Sequence, residues 1–361
     1  MNKNILALAV AAAAFSGAVS AAQVYSDDTS SLAIGGRVEA RAQGLNGNIQ
    51  DTSRVRINID AKTQINDDLY GLGFFEREFK TNQSGTAAGE NNDYNGADGE
   101  RSYNRYLFAG IGSKTYGQLV YGKADGALGM LTDFTDIMEY YGNEAGAKIA
   151  AADRTTNNLV YTGTFGGLTV KANYVANGKV NDLNNTNNVT KNTTGFSVAT
   201  KYDFNNGLAM GIGYGQQKNQ DTNEVKDLNA NQTFASASYT MGNLYVAGLY
   251  QYARNVGYLY SHQDNKNTDY QGFSLATAYT MNQLVLRSTY NYMEKTTDAN
   301  VKMANALDFD ATYFFTPNFR AYAGYTINLL DKANAVKTTG SATPAAYLYD
   351  DQFALGARYD F

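Results

Sequence analysis

The chain has 361 residues, 17% of them charged and 43% hydrophobic, with a formal net charge of -5. It carries 35 Gly, 29 Tyr and 17 Phe, but only two Pro, one His and neither Cys nor Trp. This composition excludes a disulfide framework, a Cys-ligated zinc site and a thiol nucleophile. It gives no basic footprint for nucleic acid and is too aromatic and too sparsely charged for a disordered chain.

Residues 1–21 read as a secretory signal peptide. Lys3 makes a short basic start, Ile5 to Phe15 an apolar core, and Val19-Ser20-Ala21 a small-residue cleavage site. Cleavage is expected after Ala21, with Ala22 as the alternative, leaving 22–361 as one domain. No later segment approaches about 18 consecutive apolar residues, so no transmembrane helix is expected. A barrel strand needs only ~9–11 residues, half of them apolar.

Period-two alternation runs along most of the chain. Over 54–65, Arg54, Arg56, Asn58, Asp60 and Lys62 point one way, and Val55, Ile57, Ile59 and Ala61 the other. Over 195–204, Lys201 and Asp203 oppose Phe196, Val198, Tyr202 and Phe204. Over 306–315, Asp308, Asp310 and Thr312 oppose Leu307, Phe309, Tyr313 and Phe315. The C-terminus sets Phe353, Leu355, Tyr359 and Phe361 against Arg358 and Asp360. Between such segments, short turns near 66–68, 113–115, 166–167, 205–206, 241–242, 281–282 and 317–318 alternate with longer connections near 44–50, 81–99, 124–153, 178–192, 218–229, 255–267, 295–303 and 331–346. Seven turns and eight longer connections join sixteen strands. The expectation is an all-β fold, a sixteen-stranded antiparallel transmembrane β-barrel with tight turns at one end and polar loops at the other. The abundant Tyr and Phe fit aromatic girdles at the membrane interfaces, although both residues also favour strands in general.

Residues 124–153 break the alternation. They mix Met130, Leu131, Phe134, Ile137 and Met138 with Asp125, Asp133, Asp136, Glu139 and Glu144. So many apolar residues in one connection predict that it folds inward and packs, and a sixteen-stranded barrel has room for it. Arg37, Arg41, Arg54, Arg56, Arg101 and Arg105 fall on polar strand faces, and Arg154 begins the strand after the loop. Acids on the loop facing arginines on the wall would make a charged constriction; simple solvation of a polar lumen is the other reading.

Other chemistry finds little support. The one histidine, His262, sits in a polar loop beside Ser261 and near Asp264, where a solvated role is simpler than a catalytic one. Glu76/Glu78 and Asp308/Asp310 are alternate residues of polar strand faces rather than an acid–base pair. Gly211-Ile212-Gly213-Tyr214-Gly215 has no following helix, so it is not a dinucleotide loop. No calcium-loop spacing occurs, and neither metal nor cofactor is expected.

The residues resemble a known family, the general trimeric porins of Gram-negative bacteria, and within it the OmpU-type porins of vibrios and marine relatives. The resemblance spans the mature chain: Ala22-Gln23-Val24-Tyr25, residues 63–69, Leu107-Phe108-Ala109-Gly110, Tyr121-Gly122-Lys123, the loop 131–143, Pro317-Asn318-Phe319-Arg320 and the terminal Arg358-Tyr359-Asp360-Phe361. It implies an outer-membrane homotrimer, set among lipid and lipopolysaccharide, through which ions and small hydrophilic solutes diffuse passively. It implies a constriction by the third loop, with Asp136 as its acid, and a basic cluster at Arg37, Arg56, Arg105 and Arg154. Glu139 departs from the enterobacterial pattern, which has a Pro before the acid and the acid one place later. Asp133, Asp136 and Glu139 together are expected to make the pore mildly cation-selective. Loop 81–99 would latch a neighbouring protomer, and the barrel-assembly machinery would read Phe361. An adhesin or phage receptor remains an alternative, as does a substrate-specific channel using Tyr103, Phe314 and Tyr322.

Overall fold

The computed structural model describes residues 21–81, 102–179, 192–218, 229–256, 268–297, 301–333 and 349–361. The expected leader (but for Ala21), the latch segment, Arg101 and His262 lie outside them. The chain forms β1 (Ala22–Ser26), β2 (Ser30–Leu45), β3 (Asn48–Asp51), β4 (Arg54–Gln64), β5 (Leu69–Lys80), β6 (Ser102–Ser113), β7 (Gly117–Ala124), β8 (Thr155–Phe165) and β9 (Leu168–Lys179). It continues with β10 (Asn192–Asp203), β11 (Leu208–Lys218), β12 (Asn229–Met241), β13 (Leu244–Arg254), β14 (Tyr270–Met281), β15 (Leu284–Lys295), β16 (Val301–Phe314), β17 (Phe319–Asn328) and β18 (Gln352–Asp360).

Sixteen of these, β2 and β4 to β18, are the staves of a closed antiparallel barrel. Each pairs with the next along the chain, β2 with β4, and β18 returns to β2 from Gln352↔Leu45 to Asp360↔Arg37. Closure leaves no unpaired edge, the condition for a sheet to cross a bilayer. The seam is completed by Phe361 and by β1. The Phe361 amide donates to the Gly36 carbonyl at 3.0 Å, and the Phe361 carboxyl oxygen accepts from the Gly36 amide at 2.9 Å. β1 then takes over the same edge of β2 at Ala22↔Ile34.

Burial is inverted relative to a water-soluble protein. On β16, Asp308 is 0% exposed and its neighbour Phe309 43%. The same alternation exposes Phe196, Val198 and Tyr202 on β10 and Phe353, Leu355 and Tyr359 on β18. Apolar side chains facing outward and polar ones inward are what a barrel in lipid requires. Exposed Tyr116, Phe165, Phe204, Tyr239, Tyr279, Phe315 and Phe319 lie at or close to the short turns and ring that end of the barrel, where amphipathic rings suit the headgroup level.

The short turns fall where the sequence indicates. The connection near 44–50 is tighter than a long loop. Asn46 and Gly47 both take positive φ, 49° and 74°, so a two-residue turn folds β3 back onto β2, as an Asn-Gly pair favours.

Candidate channel constriction

The loop after β7 enters the barrel because its apolar residues have a prepared seat. Leu128, Leu131, Phe134 and Ile149 are at most 5% exposed and pack with Ala199, Ala230, Phe234, Leu249 and Ala253 of the wall. One helical turn, α1 (Gly129–Thr132), presents Leu131 to β11. There Gly211, Gly213 and Gly215 line up on the inward face. A Cβ on Gly211 would stand 2.5 Å from Leu131, and one on Gly213 2.8 Å from Leu128. The glycine run that fails as a nucleotide motif is the floor of this seat.

Polar wall side chains satisfy the loop's backbone. Asn173 and Ser197 accept from the Ala127 amide at 3.0 and 2.9 Å. Gln232 accepts from Ile149 at 2.9 Å and Gln217 from Ala151 at 3.0 Å. Ser236 and Tyr245 donate to the carbonyls of Leu131 and Phe134. A buried loop needs such partners, since unpaired backbone groups are costly. The tip reaches different strands. Tyr140 OH bonds Gln43 at 3.1 Å and Thr52 at 3.2 Å. Glu139 lies 3.4 Å from Arg320 and Arg358 and 3.8 Å from Arg287. Contacts from β9 to β13 at one end and from β15, β17, β18 and β2 at the other carry the loop across the interior.

A ladder of charge lines β2, β4, β5 and β6. Arg37 and Arg56 are paired in register and are 6% and 7% exposed. Arg56 binds Glu78, which also lies 3.6 Å from Arg54 and 3.8 Å from Arg105. Arg54 pairs with Glu39 at 2.5 Å and Arg105 with Glu76 at 2.6 Å. Arg154 meets Asp125 at 3.2 Å. Burial opposes ionisation of Asp125, but Arg154 and then Lys171 hold its carboxyl below the ordinary range. Arg105 reaches the ladder through a β-bulge. The register shifts between Glu76 and Arg77, opposite Tyr106 and Asn104, so Arg105 turns inward although Leu107 and Ile111, of the same parity, are exposed outside. Extra residues of this kind re-aim a side chain.

The three loop acids differ. Glu139 is clamped by arginines, whereas Asp133 and Asp136 are exposed. Enclosure by the barrel raises the Asp133 carboxyl to about 6, with the Asp136 charge next in weight. Because the side chain is exposed, lumen water screens it, and it is mostly ionised at pH 7. The aromatic residues of lumen parity form no free slide: Tyr103 and Tyr322 give their hydroxyls to Glu78 and Glu39, and the Arg320 guanidinium lies 5.0 Å from the Phe314 ring. Parity places Glu39, Glu76 and Glu78 inward, but not the convergence of Arg287, Arg320 and Arg358 on Glu139.

A family model described as Gram-negative porin matches residues 7–333. The chain belongs to the Gram-negative porin family. It is 46% identical to Porin-like protein L of Photobacterium profundum and 41% identical to Outer membrane protein U of Vibrio parahaemolyticus, each over all of both chains. Among solved structures its fold is similar to Salmonella typhi OmpF, with a TM-score of 0.77 and 21% identity, over 94% of this chain and 100% of that one. It is also similar to the trimer form of Vibrio cholerae OmpT, with a TM-score of 0.66 and 18% identity, over 92% and 100%. This porin is therefore an outer-membrane barrel of the OmpU type, a water-filled channel for passive diffusion of ions and small hydrophilic solutes and not an enzyme.

Proposed function

We propose that this porin favours cations modestly and that Asp133 and Asp136 carry the preference. The observation behind it is their exposure on the loop that crosses the interior, while three of the wall's arginines, Arg54, Arg56 and Arg105, are each paired with a carboxylate, Glu39, Glu78 and Glu76. In a wet lumen each charge acts at high dielectric and is screened beyond ~8 Å at physiological salt. A permeability ratio of a few-fold needs only about 0.6–1 kcal/mol, since tenfold is about 1.4. The test is the reversal potential across a KCl gradient. An Asp133→Asn/Asp136→Asn variant loses cation preference. Anion preference in the wild type, or an unchanged double variant, refutes the reading.

The working unit is a homotrimer, a reading supported by the family and by the trimeric form of a structural neighbour. Residues 1–21 are the cleaved leader. Lipid and lipopolysaccharide surround the apolar outer face, and the barrel-assembly machinery recognises Phe361.

A further inference from the structure

We infer that Glu139 is a positioning residue: it docks the tip of the loop onto an arginine receptor built by β15, β17 and β18 and does not itself select ions. The inference rests on the channel reading above, in which Asp133 and Asp136 do the selecting.

The arginines of the receptor are tied to acids of the barrel wall itself. Arg287 is held by Asp310 at 2.7 Å, Arg320 by Asp360 at 2.5 Å and Arg358 by the same Asp360 at 2.7 Å. Three arginines share two aspartates, so the patch lacks one negative charge. Glu139 supplies it. Its Oε1 lies 3.4 Å from Arg320 and 3.8 Å from Arg287, and its Oε2 3.4 Å from Arg358. Its side chain is 8% exposed, and those of Arg287, Arg320 and Arg358 are 3%, 12% and 11% exposed. A carboxylate so surrounded is spent on its partners, and its removal leaves an uncompensated cation in a confined place.

The residues on either side fit the docked position. The Glu139 amide donates to Asp310 at 3.4 Å. Thr289 donates to the Met138 sulfur at 3.3 Å, and Tyr140 bonds Gln43 and Thr52. Gly142, at φ +97°, passes so close to Thr289 that a Cβ would stand 2.7 Å from its Oγ1. Undocking the tip frees a segment that crosses the interior, and this registers as interruptions of current.

Single-channel recording of the assembled porin, with assembly checked by heat-modified gel migration, separates position from charge. Glu139→Asp keeps the charge but withdraws it by one methylene. Glu139→Gln and Arg358→Gln remove opposite charges. All three are expected to raise the fraction of time in reduced-conductance substates, by about tenfold, which corresponds to about 1.4 kcal/mol. Glu139→Asp leaves the reversal potential at the wild-type value. Arg320→Lys, which keeps the charge but loses the forked reach, gives the same interruptions and carries the test if Glu139→Gln fails to assemble. Quiet recordings from Glu139→Asp and Arg320→Lys overturn the inference. So do opposite shifts of reversal potential in Glu139→Gln and Arg358→Gln without interruptions, which would make Glu139 a selectivity acid. An Asp133→Asn/Asp136→Asn variant that leaves the reversal potential unchanged refutes the selectivity reading separately, whatever the substates do.

Discussion

Gly213 of β11 and Leu131 of the inward loop meet so closely that a Cβ on the glycine would lie 2.9 Å from the leucine's Cδ1. The contact joins a wall position, where any side chain could serve the sheet, to a loop position that needs an empty one. The same atom would also stand 2.8 Å from Leu128 Cδ2 and from Ala199 Cβ, so three neighbours would have to give way together.

Gly213→Leu is accordingly expected to lift the loop from its seat while the barrel still forms. Overpacking of this kind costs about 1–3 kcal/mol, and the loop is the part best able to yield. Single-channel conductance should change and become heterogeneous, with normal heat-modified gel migration. Unchanged conductance would mean that the loop is held by its tip alone.

Glu144 is expected to make the loop sensitive to alkali. Burial, and then the neighbouring Asp308, raise its carboxyl above the ordinary value of 4.5, and the neutral form suits the folded loop. The folded state therefore binds a proton that the unfolded segment releases first, and by linkage stability falls as pH rises above the ordinary carboxylate range. Loop interruptions should grow between acid and alkaline pH in the wild type. Glu144→Gln, neutral throughout, should flatten that dependence. A profile unaffected by the substitution would remove Glu144 from the account.

Glu78 is the hub of the charge ladder, binding Arg56, facing Arg54 and Arg105, and accepting from Tyr103 at 2.8 Å. Glu78→Gln leaves these arginines with too little negative charge. Breaking a buried pair on one side costs about 3 kcal/mol, so the variant's heat-modification temperature should fall. The reversal potential should move toward anions. A shift toward cations would contradict the ladder's sign.

Phe361 closes the seam through its backbone, and its ring lies over Gly36, where a Cβ would stand 2.9 Å from its Cζ. Phe361→Ser keeps the backbone bonds but loses the ring. Outer-membrane levels are expected to fall, with more degradation in the periplasm, as measured by fractionation and immunoblotting. Full levels under strong expression would show that the ring is dispensable for assembly.

The sequence by itself determined the barrel. Alternation at Asp308, Phe309 and Asp310, or at Arg358 and Tyr359, is a property of one extended strand, because successive side chains point to opposite faces whatever the strand pairs with. The turns are equally local, and the apolar residues of 124–153 already required a packed loop. What the loop packs against was decided only in three dimensions. Glu139 and Arg358 are 219 residues apart, and closing sixteen strands into a ring is what brings them together. Arg105 does face inward as the sequence reading has it, but strand parity is not the reason, for it shares its parity with outward Leu107 and reaches the lumen through a register shift against β5. The sequence shows that Gly211, Gly213 and Gly215 are not a nucleotide loop, but only the fold sets Gly211 and Gly213 against Leu131 and Leu128. A period of two is written in the backbone geometry of each strand, whereas bulges, loop seats and charge partners depend on how distant strands are brought into one ring.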